Sequence, residues 1–234
     1  MSIWPWSQNR LLKKALAMYV GEHVLQRVLR DGTKAFALDS KYVNATVVFF
    51  DAAPIAVRDE ALMASKPAHL SFSAYYEIVS KLVIEHQGVL DAFYGDEAMA
   101  WWTSANHASD AIACALAVAK AVADIGTGAN GKDMIRLKAC IGAASNPMWI
   151  GNYGSSSRLR YVPFGDTTAL ASRLSRRSNR DYAYPVVTEE CTLRLLGPEF
   201  EVTHIESVNI KGTDRQVLRY GLGGGDDLKN SLVR

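Results

Sequence analysis

Two aspartates stand where carboxylates can support phosphoryl chemistry. Asp51 ends the apolar run VNATVVFFDAA, and Asp96 lies in DAFYGDEAMAWW after a second strand-like run. Both positions predict a carboxylate at the point where a strand meets a turn. Two such carboxylates can share a divalent metal beside a triphosphate, which is the core of two-metal phosphoryl chemistry. An isolated aspartate after a strand is more often a turn former or a helix cap, so the surrounding sequence decides.

Apolar periodicity predicts the helices and strands that position these aspartates. Strands and helices alternate along the chain, and the Gly95-Asp96 turn joins two strands into a hairpin. The predicted helices are 11–30, one around 75–83 that ends at Gln87-Gly88, one capped by Asn106 that runs to about Ile125, and 167–177, and the predicted strands are 43–51, 89–93, 98–102, 137–144, 184–187 and 215–221.

The order of these elements predicts an α+β fold with a mostly antiparallel sheet and flanking helices. Strand–helix–strand–strand–helix–strand is the ferredoxin-like arrangement. We expect an N-terminal helical segment at 1–30, one catalytic domain at 31–222 and a disordered tail at 223–234. The segment GTGANGK predicts a flexible surface loop.

Composition limits the class of protein. A chain of 234 residues with 49% hydrophobic content fits one globular domain, and a net charge of +2 gives no indication of a nucleic-acid partner. No apolar run is long enough to span a bilayer, and no signal-peptide pattern is present. The widely separated Cys114, Cys140 and Cys191 predict reduced thiols, which favours a cytoplasmic protein.

Four segments carry a resemblance to a known family, in the order and spacing that the family shows. From about Tyr19 to Leu222 the sequence resembles the class III nucleotidyl cyclase domain of the bacterial single-domain type. That resemblance implies the ferredoxin-like core and a reaction in which a nucleoside triphosphate cyclises with loss of pyrophosphate. The four segments are YVGEHVLQRVL, TVVFFDAAPIA, HQGVLDAFYGDEAMAWW and IGAASNPMWIGNYGSSSRLRYVPFGDTTALASRL.

The resemblance assigns the catalytic centre. Asp51 and Asp96 are expected to hold two divalent metal ions, Mn²⁺ or Mg²⁺, with the carbonyl of Ala52 as a backbone ligand. Arg173 falls on the family's transition-state arginine, whose permanent charge suits a pentavalent phosphorus. The asparagine that the family has one helical turn earlier is Ala169 here, which removes a hydrogen bond to ribose or phosphate.

The resemblance also implies two triphosphate-binding segments. Backbone amides of Ala53, Pro54, Ile55 and the following Ala56 lie where the family grips phosphate oxygens, although Pro54 has no amide hydrogen to donate. In NIKGTDRQ, Lys211 resembles the lysine that binds the triphosphate. Thr213 stands where the family often has a second lysine, so Arg215 competes with Lys211 for this role.

The positions that select the base depart from the purine-specific members. Ala92 replaces a lysine four residues before the second metal aspartate, and Val162 replaces a polar residue three before the Gly of Gly-Asp-Thr. Neither side chain can donate or accept a hydrogen bond. Phe50 and Tyr94 flank the metal carboxylates and could shrink the base pocket, while Tyr94, Asn44 and the backbone near Val162 are candidates to face the base.

This pattern favours a pyrimidine substrate, UTP or CTP. It resembles the stand-alone pyrimidine cyclases of bacterial anti-phage (Pycsar) signalling, whose cyclic UMP or cyclic CMP activates a separate effector. The resemblance further implies a homodimer with sites at the interface, with Arg173 supplied by the second subunit. We expect the chain to stand alone in the cytoplasm, with its trigger outside the chain and no stable complex with the effector.

Three alternatives stay open. The first is an adenylate or guanylate cyclase with a divergent base pocket. The second is an inactive pseudo-cyclase that binds nucleotide, which Ala169 favours and the retention of Asp51, Asp96 and Arg173 disfavours. The third is a ferredoxin-like RNA-binding module, in which the aromatic residues of FFD and AWW would have to be exposed.

Overall fold

The computed structural model describes residues 6–55, 60–127, 133–181, 184–209 and 216–223. They form the predicted α+β fold, in which helices pack on a mostly antiparallel sheet. The helices are α1 (Trp6–Val20), α2 (Glu22–Asp31), α3 (Glu60–Met63), α4 (Lys66–Glu85), α5 (His107–Ala123), α6 (Asp166–Asp181) and α7 (Glu190–Leu193), and the strands are β1 (Ser40–Pro54), β2 (Val89–Tyr94), β3 (Glu97–Trp102), β4 (Leu137–Ser155), β5 (Arg158–Phe164), β6 (Val186–Glu189), β7 (Val202–Asn209) and β8 (Gln216–Leu222).

The sheet has the strand order β2-β3-β1-β4-β6-β8-β7, and β5 pairs with β4 off this path. β1 lies between β3 and β4 and is antiparallel to both, whereas β4 and β6 run parallel. The unit β1-α4-β2-β3-α5-β4 gives the neighbours β2-β3-β1-β4. This is the ferredoxin-like arrangement that the element order predicts.

The core lies on both faces of the sheet. On one face α4 and α5 pack against β1, with Tyr75 and Ile112 fully buried. On the other face α6 buries Leu174 against Val47 and Trp101. The prediction of a half-buried β1 is therefore wrong, because helices cover both of its faces from Ala45 onward.

The predicted helix over 11–30 is two helices. α1 ends at Val20 and α2 begins at Glu22, with Gly21 between them at φ 96°. Glycine adopts this backbone conformation without a Cβ clash, so the chain changes direction while the helical apolar pattern continues on both sides. Periodicity alone could not detect the break.

Several element bounds differ from the sequence-based prediction. β4 continues through Pro147 to Ser155 instead of ending at Ala144, and β5 and β7 were not predicted. Asn106 occupies the N-cap position of α5 but its side chain makes no capping hydrogen bond. The predicted loop at 128–132 and the tail from 224 onward lie outside the described residues.

All three cysteines belong to the described residues, and none forms a disulfide, as predicted. Cys114 and Cys140 are buried, and burial raises the pKa of both thiols to about 12. Both thiols are therefore protonated at neutral pH. Within the described part of the chain, no helix has the length and apolar character needed to cross a membrane.

Candidate active site

The pairing of β1 with β3 brings the two predicted metal aspartates together. Asp51 lies directly opposite Glu97, the residue after Asp96. The amide of Ala52 donates to the carbonyl of Asp96 over 3.4 Å. Asp51 and Asp96 are 45 positions apart in sequence yet occupy neighbouring positions at one end of the sheet. Asp51 is 9% exposed, so its carboxylate lies at the margin of the core.

This arrangement suits a hard divalent cation. Carboxylate and carbonyl oxygens are the ligands that Mg²⁺ and Mn²⁺ prefer. In an extended strand the N–H and C=O of one residue point to the same side, so the Ala52 carbonyl faces Asp96. No cluster of three or more His, Cys, Asp or Glu side chains occurs among the described residues. Two carboxylates plus substrate phosphates is the usual composition of a magnesium site that also binds a nucleotide.

Consecutive tyrosines of α4 hold the backbone immediately before each aspartate. The Tyr75 hydroxyl donates to the carbonyl of Phe50 over 3.0 Å. The Tyr76 hydroxyl donates to the carbonyl of Gly95 over 2.5 Å. Each bond fixes the residue that precedes a carboxylate, so α4 determines where both carboxylates lie. The sequence-based prediction assigned Tyr75 only to a helical apolar pattern and missed both contacts; two consecutive tyrosines within the helix are the signal that could have indicated them.

The electrostatics keep these hydroxyls protonated. Burial raises the pKa of Tyr75 well above its usual value, and the negative charges of Asp51 and Asp96 add to the effect. Burial and then the Asp96 charge also raise the pKa of Tyr76. Since the Asp51 charge likewise raises the pKa of the buried Cys140 thiol, the site combines two carboxylates with neutral donors.

Part of the segment that was predicted to bind phosphate belongs to strand β1 and not to a loop. Ala53 and Pro54 belong to β1 and pair with Lys138 and Leu137 of β4. The amide of Ile55 donates to the carbonyl of Arg136 over 3.1 Å. The Ile55 amide therefore already has a backbone acceptor, whereas phosphate binding by Ala53 and Pro54 stays a prediction; Ala56 lies outside the described residues.

Two residues predicted to shape a base pocket lie elsewhere. The Phe50 side chain is fully buried in the core under α4, which leaves it no surface to offer a ligand. Asn44 lies seven residues before Asp51, roughly 23 Å away along an extended strand. It pairs with Pro147 at the opposite end of the sheet. Neither prediction agrees with the structure, because register and burial separate these side chains from the carboxylates.

The predicted base-selecting positions lie on β2 and β5. Ala92 is half-buried and pairs with Met99 of β3. Val162 is half-buried and pairs with Gly151 of β4. Tyr94 is 40% exposed, in keeping with the prediction that it is available to a ligand.

Ala169 and Arg173 lie one turn apart on α6, and both are exposed. No hydrogen bond or ion pair joins Arg173 to another described residue, so in one chain its guanidinium extends from the helix surface. Lys211, Thr213 and Arg215 lie outside the described residues, and their roles stay predictions.

The aromatic residues required by an RNA-binding surface are buried. Phe49, Trp101 and Trp102 are at most 9% exposed, as is Phe50. Stacking on bases requires exposed rings on the sheet. The aromatic side chains of FFD and AWW therefore do not form the exposed surface that this alternative requires of them.

A family model described as "Adenylate and Guanylate cyclase catalytic domain" matches residues 68–224. The chain belongs to this family. Adenylate cyclase 1 of Rhizobium meliloti is 30% identical over 119 residues, which is 49% of this chain and 18% of that protein. An uncharacterized protein of Mycobacterium tuberculosis is 27% identical over 190 residues, covering 80% of this chain and 31% of its own length. The chain thus spans about a fifth to a third of the length of these curated relatives.

Solved cyclase structures share the fold. A bacterial light-regulated adenylyl cyclase superposes with a TM-score of 0.78 at 16% identity, over 97% of this chain and 66% of that chain. The adenylyl cyclase CyaB from P. aeruginosa gives 0.67 at 21% identity, over 79% and 96%. The guanylyl cyclase Cya2 gives 0.65 at 20% identity, over 80% and 93%. At these identities the likeness establishes the fold of this family member and leaves its substrate open.

Proposed function

We propose that this protein is a nucleotidyl cyclase that converts a pyrimidine nucleoside triphosphate, UTP or CTP, to the 3′,5′-cyclic monophosphate and pyrophosphate. The observation that carries the proposal is the adjacency of Asp51 and Asp96 at the joined ends of β1 and β3. It occurs in a chain that belongs to the adenylate and guanylate cyclase family. A carboxylate pair of this kind has a direct use in phosphoryl transfer.

In the proposed reaction the ribose 3′-oxygen attacks the α-phosphorus of the same nucleotide. One O–P bond forms, the bond to the departing pyrophosphate breaks, and the hydroxyl proton passes to solvent. Asp51, Asp96 and the Ala52 carbonyl would hold two divalent cations. When bound, these cations lower the proton affinity of the 3′-hydroxyl and neutralise charge on the phosphates.

The remaining work of the chain is positioning and charge stabilisation. Tyr75 and Tyr76 fix the two carboxylates through the preceding carbonyls. Arg173 supplies a permanent positive charge for the transition state. Because Arg173 has no partner among the described residues of its own chain, we propose that it completes the site of a second copy in a homodimer.

A pyrimidine substrate is supported by the side chains at the base-selecting positions. Ala92 and Val162 offer no donor or acceptor to a purine edge. A site without those partners loses much of its discrimination for purines. We further propose that the cyclic pyrimidine product is a second messenger in anti-phage defence in the cytoplasm, read by a separate effector.

Ala169 favours a second candidate. The missing side-chain amide removes one contact to ribose or phosphate, which fits a pseudo-cyclase that binds nucleotide without turnover. A cyclase specific for ATP or GTP with a divergent pocket is the other alternative. The products distinguish the three candidates: a cyclic pyrimidine nucleotide, a cyclic purine nucleotide, or no cyclic product.

The experiment that tests the reaction is product analysis of purified protein with Mn²⁺ and each nucleoside triphosphate. We expect a cyclic monophosphate and pyrophosphate in equal amounts, identified by mass. Asp51→Asn and Asp96→Asn should each lower the rate at least about a thousandfold, because the charge that holds the cations is lost. Asp124→Asn, at an exposed position after α5, is the matched control and should keep full activity. Retained turnover in both aspartate variants would contradict the proposal.

A further inference from the structure

A cavity of about 460 Å³ lies between the N-terminal helices and strands β2 and β5. Its volume is in the range of small-ligand pockets. α1 and α2 line one wall with apolar side chains and with His23 and Arg27, and β2 and β5 line the opposite wall. Ala92 belongs to that second wall, together with Asp91, Tyr94 and Arg160.

Asp91, Tyr94 and Arg160 form a hydrogen-bonded triad in this wall. Nη2 of Arg160 donates to Oδ2 of Asp91 and to the hydroxyl oxygen of Tyr94. The Tyr94 hydroxyl donates to the same Asp91 oxygen over 2.8 Å. The Asp91 side chain is only 6% exposed, and the Arg160 guanidinium carbon lies 5.2 Å from the centre of the Tyr94 ring. These contacts fix the orientation of the guanidinium.

The triad joins the two strands that carry the apolar base-selecting positions. The register of β2 shifts between Leu90 and Ala92, so Asp91 is the extra residue of a β-bulge. A bulge redirects a side chain, and here the carboxylate meets an arginine of β5. Arg160 and Val162 are two residues apart and share one face of β5. Arg160 therefore brings a charged donor to the strand that carries Val162, in the same cavity wall as Ala92 of β2.

Arg160 keeps donors available to a ligand. An arginine has five N–H donors and no acceptor. Both hydrogen bonds involve Nη2, and none of the described residues accepts from Nε or Nη1 of Arg160. Its side chain is 40% exposed and lines the cavity. Two nitrogens of a fixed donor fork are thus presented to whatever enters.

We propose that Arg160 is the specificity-determining residue of the base site and donates to the carbonyl edge of a pyrimidine. This proposal rests on the proposed cyclase function and names the group that recognises its substrate. Uracil and cytosine share the C2 carbonyl, which accepts from an N–H donor. Adenine has no carbonyl, and its amino group is a donor that opposes the second N–H of the fork, whereas guanine presents O6 and N7 as acceptors; Arg160 therefore favours pyrimidines over adenine. Asp91 and Tyr94 act as positioning residues that hold the fork.

The test compares Arg160→Lys with the wild-type protein in kcat/KM for CTP, UTP, ATP and GTP. Lysine keeps the charge beside Asp91 and loses the planar fork. We expect the ratio of kcat/KM for CTP or UTP to kcat/KM for ATP to fall about tenfold or more. Arg194→Lys is the matched control, because Arg194 pairs with Glu190 on the exposed face of α7, and its ratio should stay unchanged.

Two further measurements keep the proposal decidable. The double variant Asp91→Asn/Arg160→Met removes both charges of the pair, so it should fold while losing the same discrimination. If the wild-type protein turns over no nucleotide, the cyclase proposal fails, and calorimetric affinities of the four nucleotides for wild type and Arg160→Lys then decide the role of Arg160. A pyrimidine preference that survives Arg160→Lys, or a wild-type preference for GTP, overturns the proposal.

Discussion

At the scale of single residues, the proposed chemistry depends on backbone carbonyls that are held by side chains of helix α4. Asp51 is paired within β1, three residues before the end of that strand, and Asp96 lies in the turn before β3. Hydroxyls of Tyr75 and Tyr76 restrain the carbonyls that precede them. A shift of about 1 Å in a catalytic group can lower a rate about a hundredfold, so such restraints matter more for turnover than for stability.

Tyr76→Phe tests whether this hydrogen bond affects turnover more than stability. The variant removes the donor to the Gly95 carbonyl, and a hydrogen bond at this half-buried position contributes about 1 kcal/mol to stability. We expect kcat to fall about tenfold or more with a small change in KM, and a nearly unchanged unfolding midpoint. Tyr42→Phe, at a tyrosine that is 61% exposed near the start of β1, is the control and should match wild type in both measurements. Equal kcat values for Tyr76→Phe and wild type would show that the turn needs no restraint.

The sequence predicts the candidate site residues more reliably than it predicts the packing around them. Asp51, Asp96 and Arg173 could be proposed because they lie in segments that resemble the cyclase family in order and spacing. Phe50 looked like a pocket residue because it adjoins Asp51. Alternation along β1 turns its side chain into the core, and only the packing of α4 shows that this face is closed.

At the scale of elements, contact between α6 and the sheet determines where Arg173 lies. A Cβ added to Gly142 of β4 would come within 2.2 Å of the Ala171 carbonyl oxygen and the Ser175 amide nitrogen. Glycine is therefore needed for the close approach of this helix. Leu174, which is buried, anchors the same face of α6.

Gly142→Ala should displace α6 and its arginine together. The overlap involves backbone on both sides, so relief requires a helix shift that costs about 1–3 kcal/mol. We expect a lower free energy of unfolding in urea and a lower kcat. Gly32→Ala, where no atom lies within 4 Å of an added Cβ, is the comparison for steric overlap, although its positive φ adds some backbone strain. A Gly142→Ala protein as stable and active as wild type would contradict close packing at this point.

The N-terminus of α5 predicts a pH dependence of stability. His107 is buried, and its Nδ1 lies 2.7 Å from the Thr46 hydroxyl. Burial lowers the pKa of His107 below its usual value of 6.5, and the charge of Asp110 offsets this only in part. The folded state thus binds the proton less readily than the unfolded state, so the stabilising contribution is complete above pH 6.5 and is lost as the pH falls below that value.

His107→Gln should flatten this dependence. Urea unfolding of wild type at pH 5 and pH 7.5 should give a lower free energy at pH 5, and the difference should shrink in the variant. His69→Gln is the control, since His69 is exposed, and it should retain the wild-type difference. The same difference in His107→Gln and wild type would show that other groups cause the pH dependence.

The elements that sequence missed share a physical property. β5 carries Pro163 and several charged or polar residues, and it pairs only with β4 outside the main strand order. β7 pairs only with β8 at the sheet edge. Edge strands need no two-faced apolar pattern, so periodicity detects them poorly. The β2–β3 hairpin was predicted correctly, because Gly95 adopts φ 66° in a turn between two apolar runs.

At the scale of the whole molecule, the proposed site depends on a second copy of the chain. Asp51 and Asp96 lie together on the sheet, while Arg173 is exposed on α6. In the proposed homodimer, Arg173 of one copy would complete the site of the other. The spacing of apolar residues along the sequence predicts the fold of a single chain. It does not describe the exposed surfaces through which two chains would assemble.

Mixing two inactive variants tests this assembly. Asp51→Asn and Arg173→Ala chains should each be inactive alone, because every site in either homodimer lacks a group. An equimolar mixture should recover up to about a quarter of wild-type activity, since half of the dimers are mixed and each has one complete site. The readout is cyclic nucleotide formed per total protein. Absence of recovery, with mixed dimers verified by native mass spectrometry, would contradict shared sites.

Competition among the four nucleotides tests whether this cyclase selects pyrimidines. Wild-type protein is incubated with Mn²⁺ and an equimolar mixture of ATP, GTP, CTP and UTP, and the cyclic products are resolved by mass. We predict that cyclic CMP or cyclic UMP dominates and that Asp51→Asn forms neither. Cyclic AMP or cyclic GMP as the main product would contradict the pyrimidine assignment, and absence of every cyclic product would contradict the cyclase function itself.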